Sequence, residues 1–363
     1  MSFPNSACRL LKAHSRLSRT RPIIPINPSP RPLSTLATSC SPLASYTRTS
    51  SRAQPCNIPF GPLLSQKPVA NPRSQKRHNS YHLSDAVGHK KLKDFDIEDG
   101  IYIVTGGGRG LGLCMAEALA EAGGKVYCLD RLEHPSDDFY AASLRIPPSF
   151  GGSLHYACVD VRDARSLDRV VGAIADRHQR LDGVIAAAGI QHLKAAIDCS
   201  VEEVREIMDV NYSGVFMTCA SAARAMFKWN PGKRDGAMVI IASMSGSVAN
   251  KGLICPVYNS SKAALLQLTR NLAMEWSSVG RGHKGGLGGI RVNSLSPGHI
   301  VTPMVRKNFE EVPGLCEKWE RENMMGRLAR PEEFKGAGLF LLSRASSFMT
   351  GANLIIDGGH TAW

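Results

Sequence analysis

The first 84 residues of this 363-residue chain contain not one Asp or Glu. They hold nine Arg and three Lys, a charge of +12, while the remaining 279 residues carry 32 basic against 31 acidic groups. The net charge of +13 therefore belongs to the N-terminal segment and not to the rest of the chain. Long apolar runs are also missing. Gly183–Ile190 and Ala237–Ala242 fall well short of the roughly 18 residues that a membrane-crossing helix needs, which excludes a helical membrane protein. The ten cysteines form no C-x-x-C pair, so neither a zinc site nor a disulfide framework is signalled. None of the eleven His lies in H-E-x-x-H, internal repeats are absent, and no metal site is expected.

What the basic segment does have is 12 of the 21 prolines and 20 Ser/Thr. Burial cannot offset chain entropy in such a stretch, so residues 1–84 are expected to be a disordered leader. Within it, Cys8–Thr20 separates on a helical wheel into Arg9, Lys12, Arg16 and Arg19 on one side and Leu10, Leu11 and Leu17 on the other. An Arg- and Ser-rich, acid-free, amphipathic start describes a mitochondrial transit peptide, and hence the matrix. A basic tail without an address, in an otherwise cytoplasmic protein, is the plainer alternative. A nucleic-acid arm fits less well, because no aromatic residues are interleaved to stack bases.

From Asp99 the pattern becomes regular. Short apolar or β-branched runs at Ile101–Thr105, Lys125–Asp130, Leu154–Val159, Gly183–Ala188, Ala237–Ser243, Arg291–Leu295 and Asn353–Ile356 alternate with helical stretches. The helices are expected at Leu111–Ala122, Ala164–Arg177, Val201–Lys228 and Val257–Ser278, and loops at Arg131–Gly152 and Gly280–Gly289. Apolar strands separated by helices predict a single α/β domain over 85–363. Its core is a doubly wound, Rossmann-type parallel sheet of seven strands with helices on both faces.

The first strand runs into Thr105-Gly106-Gly107-Gly108-Arg109-Gly110-Leu111-Gly112 and then directly into a helix. Such a turn aims free N–H groups and the positive end of a helix dipole at one point, which suits a pyrophosphate. Leu113 stands where a triphosphate-binding loop needs Lys, so that alternative fails. Asp130 ends the second strand, where a carboxylate can accept hydrogen bonds from ribose hydroxyls and repel a 2′-phosphate, favouring NAD. Arg131 and Arg109 would instead partner such a phosphate, which leaves NADP open.

Ser243 follows the fifth strand, and Tyr258-Asn259-Ser260-Ser261-Lys262 opens a helix 15 residues later. Tyr258 and Lys262, four apart, share a helix face. A Tyr with an ordinary pKa near 10 is a poor base at neutral pH, but an adjacent ammonium together with an oxidised nicotinamide favours its phenolate. Ser243 is then placed to hold a substrate oxygen. Neither Ser243 nor Ser245 lies in G-x-S-x-G, so a hydrolase elbow is absent.

Taken together, the glycine turn, the Ser and Y-x-x-x-K, in this order from Ile101 to Gly359, resemble the short-chain dehydrogenase/reductase family. That resemblance implies NAD(P)-dependent interconversion of a secondary alcohol and a ketone. Tyr258 would be the acid/base, Ser243 the oxygen stabiliser, Lys262 the pKa modulator and a ribose ligand, and Asn211 the fourth member, its backbone holding a relay water. Cofactor contacts are implied for Thr105, Gly106, Arg109, Gly110, Leu111, Gly112, Asp130, Arg131, Asp160, Val161, Ala187, Ala188, Gly189, Tyr258, Lys262, Pro297, Gly298, Ile300 and Thr302. Gly358-Gly359 after the last strand also fits. One departure is Ala186-Ala187-Ala188-Gly189, where the family commonly has Asn-Asn-Ala-Gly; the missing amides would brace the sheet.

Around the site, Gln191, His192, Ser245 and Asn250 are candidates to choose the substrate, with Met304–Met325 as a lid and His299 close to the nicotinamide. The stretch around Ser243 and the C-terminal Gly359-His360-Thr361-Ala362-Trp363 resemble polyol and ketose members such as arabinitol dehydrogenases and xylulose or sorbose reductases. A carbonyl reductase for fatty-acyl, steroid or secondary-metabolite substrates, and a nucleotide-binding scaffold without turnover, are the alternatives. Gly326–Glu333 resembles the family's approach to its last helix, with Pro331 at its first position. The family also implies a homotetramer built on the two long helices. A fluorescent protein fused behind residues 1–84 is expected to enter mitochondria, and a cytosolic signal would refute the transit-peptide reading.

Overall fold

The computed structural model describes residues 92–230, 235–251, 253–277 and 289–363. The basic leader, its amphipathic stretch, the domain boundary at residue 84 and all but the last residue of the expected Gly280–Gly289 loop lie outside the described residues.

Seven parallel strands form one sheet: β1 (Ile101–Thr105), β2 (Lys125–Asp130), β3 (Ser153–Cys158), β4 (Gly183–Ala186), β5 (Gly236–Ile241), β6 (Ile290–Pro297) and β7 (Asn353–Ile356). Their order is β3-β2-β1-β4-β5-β6-β7, so the winding reverses between β1 and β4. In open α/β sheets a crevice forms outside the carboxyl ends of the strands at such a reversal. Here those ends are level. Thr105 pairs with Leu129 and Ala186, Ala186 with Ile240, and Ile241 with Leu295.

The side-chain alternation of the strands feeds two separate cores. Ile101 and Ile103 of β1, with Val184 of β4, face α3 (Ala164–His178), α5 (Val215–Trp229) and α6 (Pro256–Trp276). Tyr102 and Val104, with Ile185, face α1 (Gly110–Glu121), α2 (Asp137–Arg145) and α9 (Lys335–Leu342). Burial on both faces explains why β1 and β4 read as unbroken apolar runs.

Two sequence expectations are corrected. Arg131–Gly152 is not a loop throughout but contains α2, whose Phe139 and Ala142 are buried. Its short length and the two prolines behind it hid the helical period, and Phe139, edge-on to Tyr156 at 5.6 Å, anchors it. Val201–Lys228 is not one helix either. It is split into α4 (Val201–Met208), a π-turn at Asp209–Gly214 and α5. Strand and helix ends otherwise fall within two residues of the expected positions. The anticipated lid consists of α7 (Pro303–Glu311) and α8 (Leu315–Glu322). Pro331 opens a 3-10 turn that leads into α9, as expected.

The end of α9 is closed by Arg291 from β6. Its guanidinium donates to the carbonyls of Leu341, Ser343, Ser346 and Met349 and to Ser346 Oγ, at 2.8–3.3 Å. These include carbonyls that a helix terminus cannot satisfy internally. Arg291→Met is expected to lower unfolding free energy in urea by about 3 kcal/mol, because it strands several acceptors at once. A loss below about 1 kcal/mol would mean that water replaces the guanidinium.

Candidate active site

The glycine turn is shaped by backbone approaching backbone. Gly106 has φ +68°, and a Cβ there would stand 2.9 Å from the backbone of Ala188. At Gly112 a Cβ would lie 2.2 Å from the Gly106 carbonyl oxygen. No side chain caps α1, which begins at Gly110 behind the extended Arg109, so its first N–H groups are left for a ligand. Thr105 is fully buried and its Oγ1 has no partner among the described residues. Asp130 lies beneath the turn and accepts from the N–H groups of Gly108 (3.2 Å) and Leu132 (3.4 Å). Arg109 and Arg131 are exposed at its margin, and Leu111 is half-buried.

On the other side of β1, Ala187 and Ala188 leave the sheet two residues earlier than expected and fold against Gly106. Beyond them, Asn211 ties the loop down by accepting from the Ile190 N–H (2.8 Å) and donating to the Ile190 carbonyl (2.9 Å). Gly189 lies between Asn211 and Lys262, its Cβ position 3.4 Å from Asn211 Oδ1 and 3.5 Å from Lys262 Nζ. Val161 is buried against Gly214 of the π-turn, and Asp160 is paired with Arg162, which holds its carboxyl below the usual range. Pro297 and Gly298 end β6 against Asp357, Ile300 is buried, and Thr302 caps α7 by accepting from the Val305 N–H. Pro303 comes within 4.0 Å of the Cβ position of Gly110, so the lid starts beside the glycine turn.

The remaining groups meet where β5 ends. Ser243 is buried, and its Oγ accepts from the Ser245 N–H at 3.1 Å. Lys262, 4% exposed, donates from Nζ to the Ile241 carbonyl at 2.8 Å and lies 5.7 Å from the centre of the Tyr258 ring. Asn211 Nδ2 donates to Ser261 Oγ at 3.0 Å, and Ser261 Oγ donates to the Tyr258 carbonyl at 2.7 Å. The π-turn around Asn211 breaks the ordinary helical hydrogen-bond ladder at this point, a frequent device at functional sites.

Burial pushes the Tyr258 hydroxyl up to about 12, with Ser243 acting in the opposite direction. Desolvation is the dominant influence on Tyr258 in the polypeptide, to which the nicotinamide charge expected to lower it does not belong. Burial pulls Lys262 down to about 8, because its ammonium has left water for one carbonyl oxygen. The uncapped N-terminus of α1, the orphaned Thr105 hydroxyl and the glycine cradle together fit a dinucleotide whose phosphates rest on α1.

The whole of this region, residues 106–361, matches a family described as enoyl-(acyl carrier protein) reductase. A short-chain type dehydrogenase/reductase from Mycobacterium marinum superposes with a TM-score of 0.66 at 34% identity, covering 75% of this chain and 99% of its own. This chain belongs to the short-chain dehydrogenase/reductase family. It is an NAD(P)-dependent oxidoreductase that interconverts a secondary alcohol and a ketone. Further relatives are a galactitol 2-dehydrogenase of Rhizobium johnstonii, 38% identical over 72% of this chain and 95% of the relative, and a ribulose-forming D-arabinitol 2-dehydrogenase of Candida albicans, 31% identical over 75% and 96%.

Some members of the site were not foreseen. Ser261 links Asn211 to α6, and its only signal was its place inside the Tyr258–Lys262 interval. Asn308 of the lid is buried and donates to Gln191 Oε1 at 3.2 Å, a contact no sequence spacing announces. His192 instead lies 3.8 Å from the partly exposed Glu206.

Lys262 titrates near pH 8 when folded and near its ordinary value, about 10.4, when unfolded, so between these the unfolded chain binds the extra proton and stability rises with pH. Urea unfolding of wild type and Lys262→Met from about pH 6 to pH 10 is expected to show a constant difference below about pH 7 and a shift in favour of wild type above about pH 8. A pH-independent difference would refute the burial of a charged ammonium.

Proposed function

We propose that the substrate is a polyol, oxidised at a secondary hydroxyl to the ketose, with the reverse reduction open to the same site. The carrying observation is the meeting of Ser243, Tyr258, Lys262 and Asn211 at the end of β5. Tyr258 takes the proton of the reacting hydroxyl through its Oη, and Ser243 Oγ holds that oxygen. Lys262 holds positive charge below Tyr258 and reaches the ribose, and the disrupted helix at Asn211 leaves backbone oxygen for a relay water. When bound, the nicotinamide supplies the hydride-accepting carbon and, in its oxidised form, a positive charge that opposes the upward shift of Tyr258.

The polyol reading is supported by Ser245 and Asn250. Both are buried, Asn250 Nδ2 donates to Ser245 Oγ at 2.5 Å, and Asn250 Oδ1 has no partner among the described residues. Asn250 adopts φ +53° to get there. A site built of such groups discriminates strongly for hydroxyls. Galactitol and arabinitol dehydrogenases among the relatives point the same way. The Asp130 carboxylate favours NAD over NADP. Apolar side chains exposed on α4, α5 and α6, namely Val201, Val204, Phe216 and Met274, support a homotetramer. The composition of residues 1–84 supports delivery to the mitochondrial matrix.

Reduced-nicotinamide absorbance, followed with NAD and NADP over pentitols, hexitols and simple secondary alcohols, tests this. Turnover of a polyol, faster with NAD, is expected. Tyr258→Phe should lower kcat by about 10²- to 10⁴-fold while cofactor binding, read by fluorescence, is unchanged. Unaltered turnover in that variant would refute the assignment of the base.

A further inference from the structure

Three buried side-chain atoms lack a hydrogen-bond partner among the described residues: Thr105 Oγ1, Asn250 Oδ1 and His299 Nε2. Buried polar atoms are rarely left so, and each one needs a reason. All three lie at the carboxyl edge of the sheet. Thr105 ends β1, Asn250 is bonded to Ser245 beside Ser243, and His299 follows β6 by two residues. Unpartnered atoms gathered around one crevice are atoms that a ligand completes.

Thr105 and Asn250 already belong to the site described above, whereas His299 does not. It is 7% exposed, and its ring lies flat on the indole of Trp319 of the lid, with centroids 3.7 Å apart and planes 5° from parallel. His360 meets it edge-on at 5.2 Å. Trp319 is itself buried in a third apolar cluster with Leu253, Cys255, Leu315 and Leu328, and Tyr258 packs on that same cluster. The stack therefore holds the His299 ring against Trp319, a member of the cluster on which Tyr258 packs. Burial and the neighbouring His360 push its pKa down to about 3, so it is a neutral imidazole at physiological pH, with one nitrogen donor and one acceptor. A phenyl ring would fill the same space. The ring nitrogens distinguish His from Phe here, and of the two Nε2 is the one buried without a partner among the described residues.

We propose that His299 determines substrate specificity: its Nε2 hydrogen-bonds a hydroxyl of the bound substrate other than the one that reacts. The proposal rests on the polyol reading given above. It adds a recognition point contributed by the loop after β6, its ring held by Trp319, beyond the Ser245 and Asn250 pair. The same nitrogen could alternatively meet an amide of the cofactor, and the measurements separate the two.

The experiment compares full-length wild type and His299→Phe on a pentitol and on 2-pentanol, which has a secondary hydroxyl and no other. For the pentitol, kcat/KM is expected to fall about 10-fold or more, mostly through KM, since a hydroxyl-binding site loses heavily when its partner is removed. For 2-pentanol, and for the cofactor Kd by nicotinamide fluorescence, the change is expected to stay below about 2-fold. Equal losses on both alcohols, or none on either, would overturn the proposal in favour of a packing role. A weakened cofactor Kd would overturn it in favour of the cofactor. If wild type oxidises neither alcohol, the polyol reading fails separately. In that event the ¹⁵N resonance of His299 Nε2 in the NAD-saturated Tyr258→Phe protein still decides: a shift on adding pentitol supports the contact, and an unmoved resonance overturns it.

Discussion

Everything at this site depends on how closely the main chain can approach itself at the carboxyl edge of the sheet. Gly106 touches the backbone of Ala188, and Gly112 touches the carbonyl of Gly106, at distances where a Cβ would collide. That contact draws the turn after β1 against the loop after β4. The loop in turn passes Gly189 between Asn211 and Lys262. A larger side chain at Gly106 would push the two loops apart, and one at Gly112 would open the turn itself. The reversal of strand order between β1 and β4 makes the crevice, and the glycines keep its walls at contact distance.

Electrostatics inside this crevice work against the fold. Lys262 carries its ammonium into a dry site with one carbonyl acceptor, Tyr258 is held far from the pKa of a useful base, and three polar atoms are left without partners among the described residues. The buried ammonium and the unpartnered atoms each cost stability, whereas the raised Tyr258 hydroxyl is simply neutral near pH 7 and needs a nearby positive charge to ionise. The two large apolar cores on either face of the sheet, together with caps such as Arg291 on α9, supply the stability that tolerates this arrangement.

The lid is tied on two sides. Asn308 reaches Gln191, while the C-terminal segment binds α8 from the other direction: Trp363 Nε1 donates to the Glu322 carbonyl at 2.7 Å and His360 Nδ1 is 3.2 Å from Asn323 Oδ1. Trp319 joins these ties to the loop after β6 through His299. His360 and Trp363 therefore bear on the end of α8, the helix that also carries Trp319.

The sequence carries most of the sheet, because strands buried on both faces are largely apolar, as in Ile101–Val104, although the buried β6 also holds Asn293, Ser294 and Ser296. It also determined the glycine turn and the Tyr258 and Lys262 pair, because local backbone freedom and a four-residue helical spacing are written in short stretches of chain. It failed where the deciding contact is distant. The α2 helix is anchored by Tyr156 of another strand, and the split of the long helix at Asn211 is held by Ile190 and Ser261, 21 and 50 residues away. Tertiary structure alone decided how strongly burial raises the Tyr258 hydroxyl. It alone placed the ring of His299 on Trp319. A pKa and a stacking partner both depend on what surrounds a group in space, and no spacing along the chain encodes that.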